Sequence, residues 1–330
     1  MWARLSPHAA SGMLSAMPRA TTDPIPVPRV DGAPGPRVRR AGLVLRPERD
    51  LSGPLAEVRA WADEAGVVLV GVEDDPRLPR DVERRAEGEL AAGCDAVVAL
   101  GGDGTMLGAM RLAAPHDVPV MGVNLGTLGY LTEVDAAHLR TALSAIADGA
   151  YTVEARTGLT LAAGPGVEAQ VVYNDVVVSR VPGRGQAALA LRIDGELLVR
   201  YASDGVITAT PQGSTAYAFA AGGPLVSPRA QGMIVMPDAP HGLFNRAVVL
   251  AAGERLGIEL LPRSAPVSLE RDGQLFGHAE PGARLEIQGR PDAARVLRVH
   301  PGGFAERARR KLGITDPAGL ADFDLAGHER

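Results

Sequence analysis

Six consecutive residues, Leu100-Gly101-Gly102-Asp103-Gly104-Thr105, set a single carboxylate among three glycines. Glycines let backbone N–H groups approach a phosphate with no Cβ in the way, and a helix N-terminus beside them favours an anion. An aspartate is unexpected there if anion binding is the only task, because it repels phosphate. Beside phosphate it serves a bound cation, or it takes the proton from an attacking hydroxyl. The competing reading is a βα turn in which Asp103 caps the helix and the glycines permit close packing.

Three further stretches carry candidate chemistry. Asn174-Asp175 interrupts the apolar run Val171–Val178. Polar groups in a buried strand are costly unless paired. An Asn suits a base edge and a carboxylate accepts from sugar hydroxyls; a bulge or strand end is the alternative. Asp204 opens the stretch that runs through Thr210-Pro211-Gln212-Gly213-Ser214-Thr215-Ala216-Tyr217-Ala218-Phe219-Ala220. Hydroxyls and small residues at the start of a helix either cap it or bind ribose, base edge or phosphate. Asp272-Gly273-Gln274 reads by itself as a hairpin turn. His241 reads as a loop histidine with no nucleophile beside it to activate.

The elements that position these residues fall into two halves. Ala41–Leu45, Val67–Val72, Ala96–Leu100 and Val118–Val123 have strand length, and helical stretches over Leu55–Ala65, Asp81–Ala92, Met106–Ala113 and Ala136–Ala147 alternate with them. That alternation predicts a parallel sheet covered on both faces, with function at the carboxyl ends of its strands. The glycine turn lies at one such end, and a second glycine-rich loop, Asn124–Thr132, lies at another. From Tyr151 onward short β-branched runs with turn punctuation predict a sandwich or layered antiparallel sheets: Val171–Ser179, Ala187–Ile193, Leu197–Tyr201, Val206–Thr210, Ala247–Ala251, Leu256–Leu261, Val267–Leu269, Leu285–Ile287 and Val296–Val299. The expected organisation is a proline-rich disordered extension over 1–37, an α/β domain over 38–149 and a β-rich domain over 150–302. A helix returning to the first domain, with a loose tail, completes it over 303–330.

Composition removes several mechanisms. Lys311 is the sole lysine, so a Walker-type P-loop and a strand lysine of the protein-kinase kind are both excluded. Phosphate binding must rest on backbone N–H groups, arginines and metal. The net charge of −5 gives no field for nucleic acid. One cysteine, Cys94, rules out an internal disulfide and a cysteine metal cluster, and fits a reducing cytoplasm. No apolar run is long enough to span a bilayer, and no secretory signal is expected.

Taken together, Gly101–Thr105, Asn124–Thr132, Asn174-Asp175, Asp204–Gly223, Pro240-His241 with Arg246, Asp272-Gly273-Gln274 and the Phe304–Leu312 helix resemble the NAD kinase family. The Gly-Gly-Asp-Gly turn alone is shared with diacylglycerol and sphingosine kinases; the Thr-Pro-x-Gly-Ser-Thr-Ala-Tyr segment is the specific part. The resemblance implies an NAD kinase-like fold and transfer of a phosphoryl group from ATP or polyphosphate, with Mg²⁺ or another divalent cation, to the 2′-hydroxyl of the adenosine ribose of NAD. It implies Asp103 as the base, and Gly101, Gly102, Gly104 and Thr105 as the donor-phosphate turn. Asn174, Asp175, Asp204, Thr215, Ala216, Tyr217, Ala218, Phe219, Ala220 and Gln274 would hold the dinucleotide. It also implies a homodimer or homotetramer; with the composition, the expectation is a cytoplasmic protein with neither nucleic acid nor membrane as partner. Asp175 replaces the family's usual Glu and Gln212 a frequent Thr; Gly185 and Ala202 stand where some members carry His or Arg. A lipid or sphingoid-base kinase and a non-catalytic NAD(P)-binding paralogue are the alternatives.

Overall fold

The computed structural model describes residues 35–47, 50–126, 129–162, 169–299 and 303–315. The extension up to residue 34, Thr127 and Leu128 of the second glycine loop, and the tail beyond 315 lie outside them.

The first half runs β1 (Arg40–Leu45), α1 (Ser52–Ala65), β2 (Val68–Val72), β3 (Glu83–Arg85), β4 (Ala96–Gly101), α2 (Asp103–Ala113), β5 (Val120–Asn124), β6 (Val134–Asp135) and α3 (Leu139–Ala147). Every residue of β4 and β5 is buried, as strands covered on both faces require. One face packs on α1 and α3 through Leu55, Val58, Trp61, Leu139, Leu143 and Ile146. The other packs on α2 through Met106, Leu107, Ala109 and Met110. The helix α1 stops at Gly66, which takes the left-handed conformation that glycine adopts without a Cβ penalty.

The sheet order here is β3-β2-β1-β4-β5, all parallel. The chain leaves β1 in one direction towards β2 and returns to β4 on its other side. The order therefore reverses between β1 and β4, and a crevice opens at their carboxyl ends.

The second half comprises β7 (Thr152–Ala162), β8 (Gln170–Val172), β9 (Asp175–Arg180), β10 (Ala187–Ile193), β11 (Glu196–Ser203), β12 (Gly205–Ala209), α4 (Tyr217–Ala220), β13 (Gly232–Asp238), β14 (Val248–Ala251), β15 (Arg255–Leu260), β16 (Val267–Arg271), β17 (Gln274–Ala279) and β18 (Arg284–Arg298). The closing helix is α5 (Phe304–Leu312). Six of the strands form an antiparallel sheet in the order β14-β13-β12-β9-β16-β17. Its inner face (Val176, Val178, Val206, Met233, Val235) meets Leu159, Leu189, Ile258 and Ile287 of the larger sheet. The outer face carries Val177, Ile207 and Ile234 under Ala218 of α4. Both faces are thus covered, which explains the unbroken apolar runs in β9 and β12.

The larger sheet continues through β18. This strand pairs antiparallel with β15 and β7, and its Val296 pairs parallel with Val120 of β5. The α/β and antiparallel halves therefore share one sheet.

Two local expectations change. Asp81–Ala92 is not a helix: Glu83–Arg85 forms an edge strand on β2, followed by a 3₁₀ turn over Glu87–Glu89. Glu83 carries the change, since its carboxylate pairs with Arg40 of β1 and with Arg85. Strand pairing across the sheet outweighs local helix propensity. Leu285–Ile287 and Val296–Val299, read as separate strands, fall on the single β18, which ends at Arg298 and has an irregularity between Arg290 and Ala294.

Candidate active site

The turn after β4 is built by close packing below and open space above. A Cβ on Gly101 would lie 2.1 Å from Thr105 Oγ1, so the Thr105 hydroxyl needs glycine at that position. Gly102 and Gly104 have no heavy atom within 4 Å of where a Cβ would be. Their outward sides border the crevice at the sheet's switch point. Asp103 is the first residue of α2, and no side-chain cap bond forms at this N-terminus. The simple capping reading therefore does not account for it.

Instead its carboxylate receives three backbone amides of the second glycine loop. Tyr130 N–H donates to Oδ2 at 2.8 Å, and Leu131 and Thr132 N–H donate to Oδ1 at 3.0 and 3.4 Å. A carboxylate offers about four lone-pair positions, so one on Oδ2 stays available. Gly129 closes the cage: a Cβ there would meet Thr132 Oγ1 at 2.3 Å and Asp103 Oδ1 at 3.0 Å. Buried Asn124 accepts from Gly126 N–H at 3.0 Å and shapes the same loop.

The loop is anchored from below by buried charge. Glu133, one residue past the cage, holds Arg298 at 2.6 Å and accepts from Val299 N–H. Arg298 also reaches Glu154, which binds Arg156 at 2.5 Å. Burial opposes ionisation of Glu154, but Arg156 and Arg298 outweigh it and pull its carboxyl down to about 2. Burial and the neighbouring Arg298 lower Arg156 to about 10. Lys311 of α5 lies 3.8 Å from Asp135 on β6, so α5 packs against this half.

A second group of residues gathers at the start of β9. Asp272, in the β16–β17 hairpin, has φ +46° and is followed by Gly273 at +73°. That is the left-handed pair a two-residue hairpin turn requires. Its carboxylate accepts from the N–H groups of Tyr173 (3.0 Å) and Asn174 (2.6 Å), and its own N–H donates to Asp175 O. The Thr210–Tyr217 segment closes from the other side. Thr210 Oγ1 and Gln212 Nε2 donate to Tyr173 O at 2.7 and 2.8 Å, and Thr210 N–H donates to Asn174 O. Gly213 passes so near that a Cβ would lie 2.0 Å from Asn174 O. This contact fixes Asn174 against the segment bearing Thr215 and Tyr217. The buried Oδ1 of Asn174 has no protein partner among the described residues.

Asp175 is buried. Burial first, then the negative charges of Asp272 and Glu270, push its carboxyl up to about 7, while the Tyr217 backbone amide pulls it back. Asp272 is also raised by burial, against the amides it accepts and the charge of Arg111.

The two groups meet across α2. Arg111, on that helix, donates to Gln274 Oε1 at 3.3 Å. Met106 and Met110 of α2 share a cavity of about 10 Å³ with Tyr130, Gln212, Arg156 and Arg307. This is about the room one water needs.

Within this arrangement Tyr217 and Phe219 are exposed and Ala218 is buried in the core, so Ala218 offers only backbone. Thr215 turns its hydroxyl to Gln212 O, capping its own 3₁₀ turn. Asp204 is not brought in. It precedes the opposite end of β12, where it pairs with Arg180 at 2.5 Å. Ala209, at the near end, is in register with Asp175. The four strand steps from Gly205 to Ala209 separate the ends by roughly 13 Å. Asn124, Thr210, Gln212 and Arg111 were not among the expected site residues. Thr210, Gln212 and Asn124 stood inside the quoted motifs, and their burial was the missing signal.

The ATP-NAD kinase N-terminal domain model matches residues 54–151, and the ATP-NAD kinase C-terminal domain model matches 173–299. NAD kinase 1 of Streptomyces avermitilis is 38% identical over 330 residues, covering 88% of this chain and 91% of the relative. The NAD kinase of Desulforamulus reducens is 37% identical over 276 residues, covering 82% and 96%. Among solved structures, yeast NADH kinase complexed with NADH aligns with a TM-score of 0.74 at 22% identity, over 86% of this chain and 89% of that one. An NAD kinase from Archaeoglobus fulgidus in complex with ATP aligns with a TM-score of 0.65 at 24% identity, over 83% and 97%. These two likenesses concern the fold.

Proposed function

Because the chain belongs to the NAD kinase family and is thereby a phosphotransferase acting on NAD, we propose that Asp103 is its base and that the crevice between β1 and β4 receives the phosphoryl donor. The observation that carries this reading is the carboxylate held rigidly by three loop amides, with one Oδ2 position left and open space over Gly102 and Gly104. The 2′-oxygen of the adenosine ribose attacks the donor's terminal phosphorus. Its proton passes to Asp103, and the anhydride bond to the leaving phosphate breaks. The amides of Gly101, Gly102 and Gly104, with Thr105 beside them, cradle the donor phosphates. ATP is the family's donor; polyphosphate presents the same phosphoanhydride end.

Asn174 holds the adenine edge with its unpartnered Oδ1, and Asp175 accepts from a ribose hydroxyl once it ionises above about pH 7. The backbone and hydroxyls of Thr215–Ala220 and the Gln274 amide complete the dinucleotide pocket. Asp204, paired with Arg180 at the other end of β12, lies outside this pocket.

A divalent cation fits these residues as a guest of the donor. Among the described residues no three His, Cys, Asp or Glu side chains cluster to hold a metal. Mg²⁺ typically binds through one or two carboxylates and substrate phosphates while keeping several waters. With the free Oδ2 position of Asp103 kept for the ribose proton, the ion would be held by donor phosphate oxygens and waters, and it would supply neutralisation of the phosphate charge.

We place the enzyme in the cytoplasm as a homodimer or homotetramer. No described helix is long and apolar enough to cross a membrane. The test is purified protein with NAD, Mg²⁺ and either ATP or polyphosphate, read by an NADP-specific dehydrogenase. NADP formation with either donor supports the reading. Binding of NAD without NADP formation would leave only a dinucleotide sensor, and phosphorylation of diacylglycerol in its place would mark a lipid kinase.

A further inference from the structure

The reaction brings a polyanion to a site whose identified side chain is itself an anion, in a half of the chain with no lysine at all. Transferring a phosphoryl group beside Asp103 calls for fixed positive charge in the protein. The described residues offer one cation at the right place. Arg46 is the first residue after β1, so it sits at the carboxyl end of one of the two strands that flank the switch point, while Gly101 ends the other. Leu45 and Leu100 are in register, which brings Arg46 level with the turn.

Contacts fix its position. Arg46 N–H donates to Leu100 O at 2.9 Å. Its Cβ lies 3.0 Å from where a Cβ on Gly101 would stand, and its Nη1 lies 3.9 Å from the same point on Gly126. The side chain therefore crosses from the first glycine loop to the second, over the crevice mouth. Its backbone carbonyl accepts from Arg77, whose guanidinium is gripped by Asp75 through Nε at 2.8 Å and Nη2 at 2.5 Å. Neighbouring arginines are committed elsewhere. Arg77 is paired with Asp75, Arg84 donates to the carbonyls of Glu73, Asp75 and Leu78, and Arg111 donates to Gln274. The Arg46 side chain is exposed, and among the described residues no carboxylate pairs with it.

We propose that Arg46 is a catalytic residue that ligates the transferring end of the phosphoanhydride donor from the β1 side of the crevice, opposite Asp103. The planar fork of a guanidinium matches two phosphate oxygens at once. It stabilises charge on the phosphoryl oxygens as the anhydride bond breaks and takes no part in proton transfer. This inference rests on the proposed reading of the crevice as the donor site.

The test compares wild type with Arg46→Ala and Arg46→Lys, varying donor (ATP, then polyphosphate) at saturating NAD and NAD at saturating donor. Binding of Mg²⁺-tripolyphosphate to protein without NAD is measured in parallel by calorimetry. For Arg46→Ala, kcat/KM for both donors falls about 10²–10³-fold, KM for NAD stays within about twofold, and tripolyphosphate binds at least about tenfold more weakly. Arg46→Lys recovers part of the loss as a point charge without the fork. Unchanged donor kcat/KM in Arg46→Ala, a loss confined to one donor, or a loss expressed in KM for NAD would overturn the proposal. If wild type made no NADP from either donor, the assigned activity would fall, while the tripolyphosphate comparison would still decide whether Arg46 is a phosphate ligand.

Discussion

Asp175→Asn isolates the most unusual electrostatic feature of the dinucleotide side. The Asp175 carboxyl is raised from 3.8 to about 7 by burial and by Asp272 and Glu270. A raised carboxyl means that the folded protein binds a proton the unfolded chain has already released. Stability conferred by that proton is present in full below pH 4 and is lost as pH rises towards 7. Each pH unit between the two values removes a little over 1 kcal/mol. From pH 5 to pH 8 the wild type therefore loses about 3 kcal/mol relative to Asp175→Asn, which is neutral throughout. Asp272, raised as well, titrates in the same direction in both proteins. Glu154 acts oppositely: its carboxyl is lowered to about 2, so its stabilisation is present above pH 4.5 and lost below, outside this window. Parallel urea melts at pH 5, 6, 7 and 8 read the difference directly. It should decline up to about pH 7 and then level off. A difference that stays flat across the range would show that Asp175 titrates as an ordinary exposed carboxylate, unaffected by burial or by Asp272 and Glu270.

Other perturbations reach the remaining joints. Gly213→Ala sets a methyl group against Asn174 O at 2.0 Å. The backbones must part, which costs about 1–3 kcal/mol and raises KM for NAD more than it lowers kcat; a variant with normal KM would refute the close-approach role. Glu133→Gln removes the charge that holds buried Arg298 beside the Asp103 cage. A loss of about 3 kcal/mol in denaturant unfolding is expected, and a loss under 1 kcal/mol would show the loop is anchored elsewhere.

The architecture was largely legible from strand-length apolar runs separated by helical periods, and the two glycine-rich stretches were correctly placed at strand carboxyl ends. What escaped were elements whose stability comes from distant partners. Glu83–Arg85 lacks any strand signature, and only Arg40 and β2 make it one. The long β7 was hidden because Arg156 interrupts its apolar pattern; in the fold that arginine is 2% exposed and satisfied by Glu154. A buried ion pair cannot be read from either residue alone. Asp272 shows the same limit at the site. As a sequence it is a hairpin turn, and it is one, yet its carboxylate also organises Tyr173 and Asn174 about a hundred positions away. Asp204 shows the reverse. It belongs to the same motif as Thr210, but a strand lies between them and turns adjacency in sequence into distance in space.

The role of Asp103 as base is tested most directly by the Asp103→Asn enzyme, assayed for NADP formation with ATP and Mg²⁺ alongside calorimetric binding of NAD. An amide can keep its oxygen on the Leu131 and Thr132 N–H groups, so the cage survives at the cost of the Tyr130 contact. In Asp103→Asn, kcat falls about 10²–10⁴-fold while NAD binds within about threefold of wild type. Near-normal turnover would contradict that role, because a different group would then be taking the proton from the ribose hydroxyl.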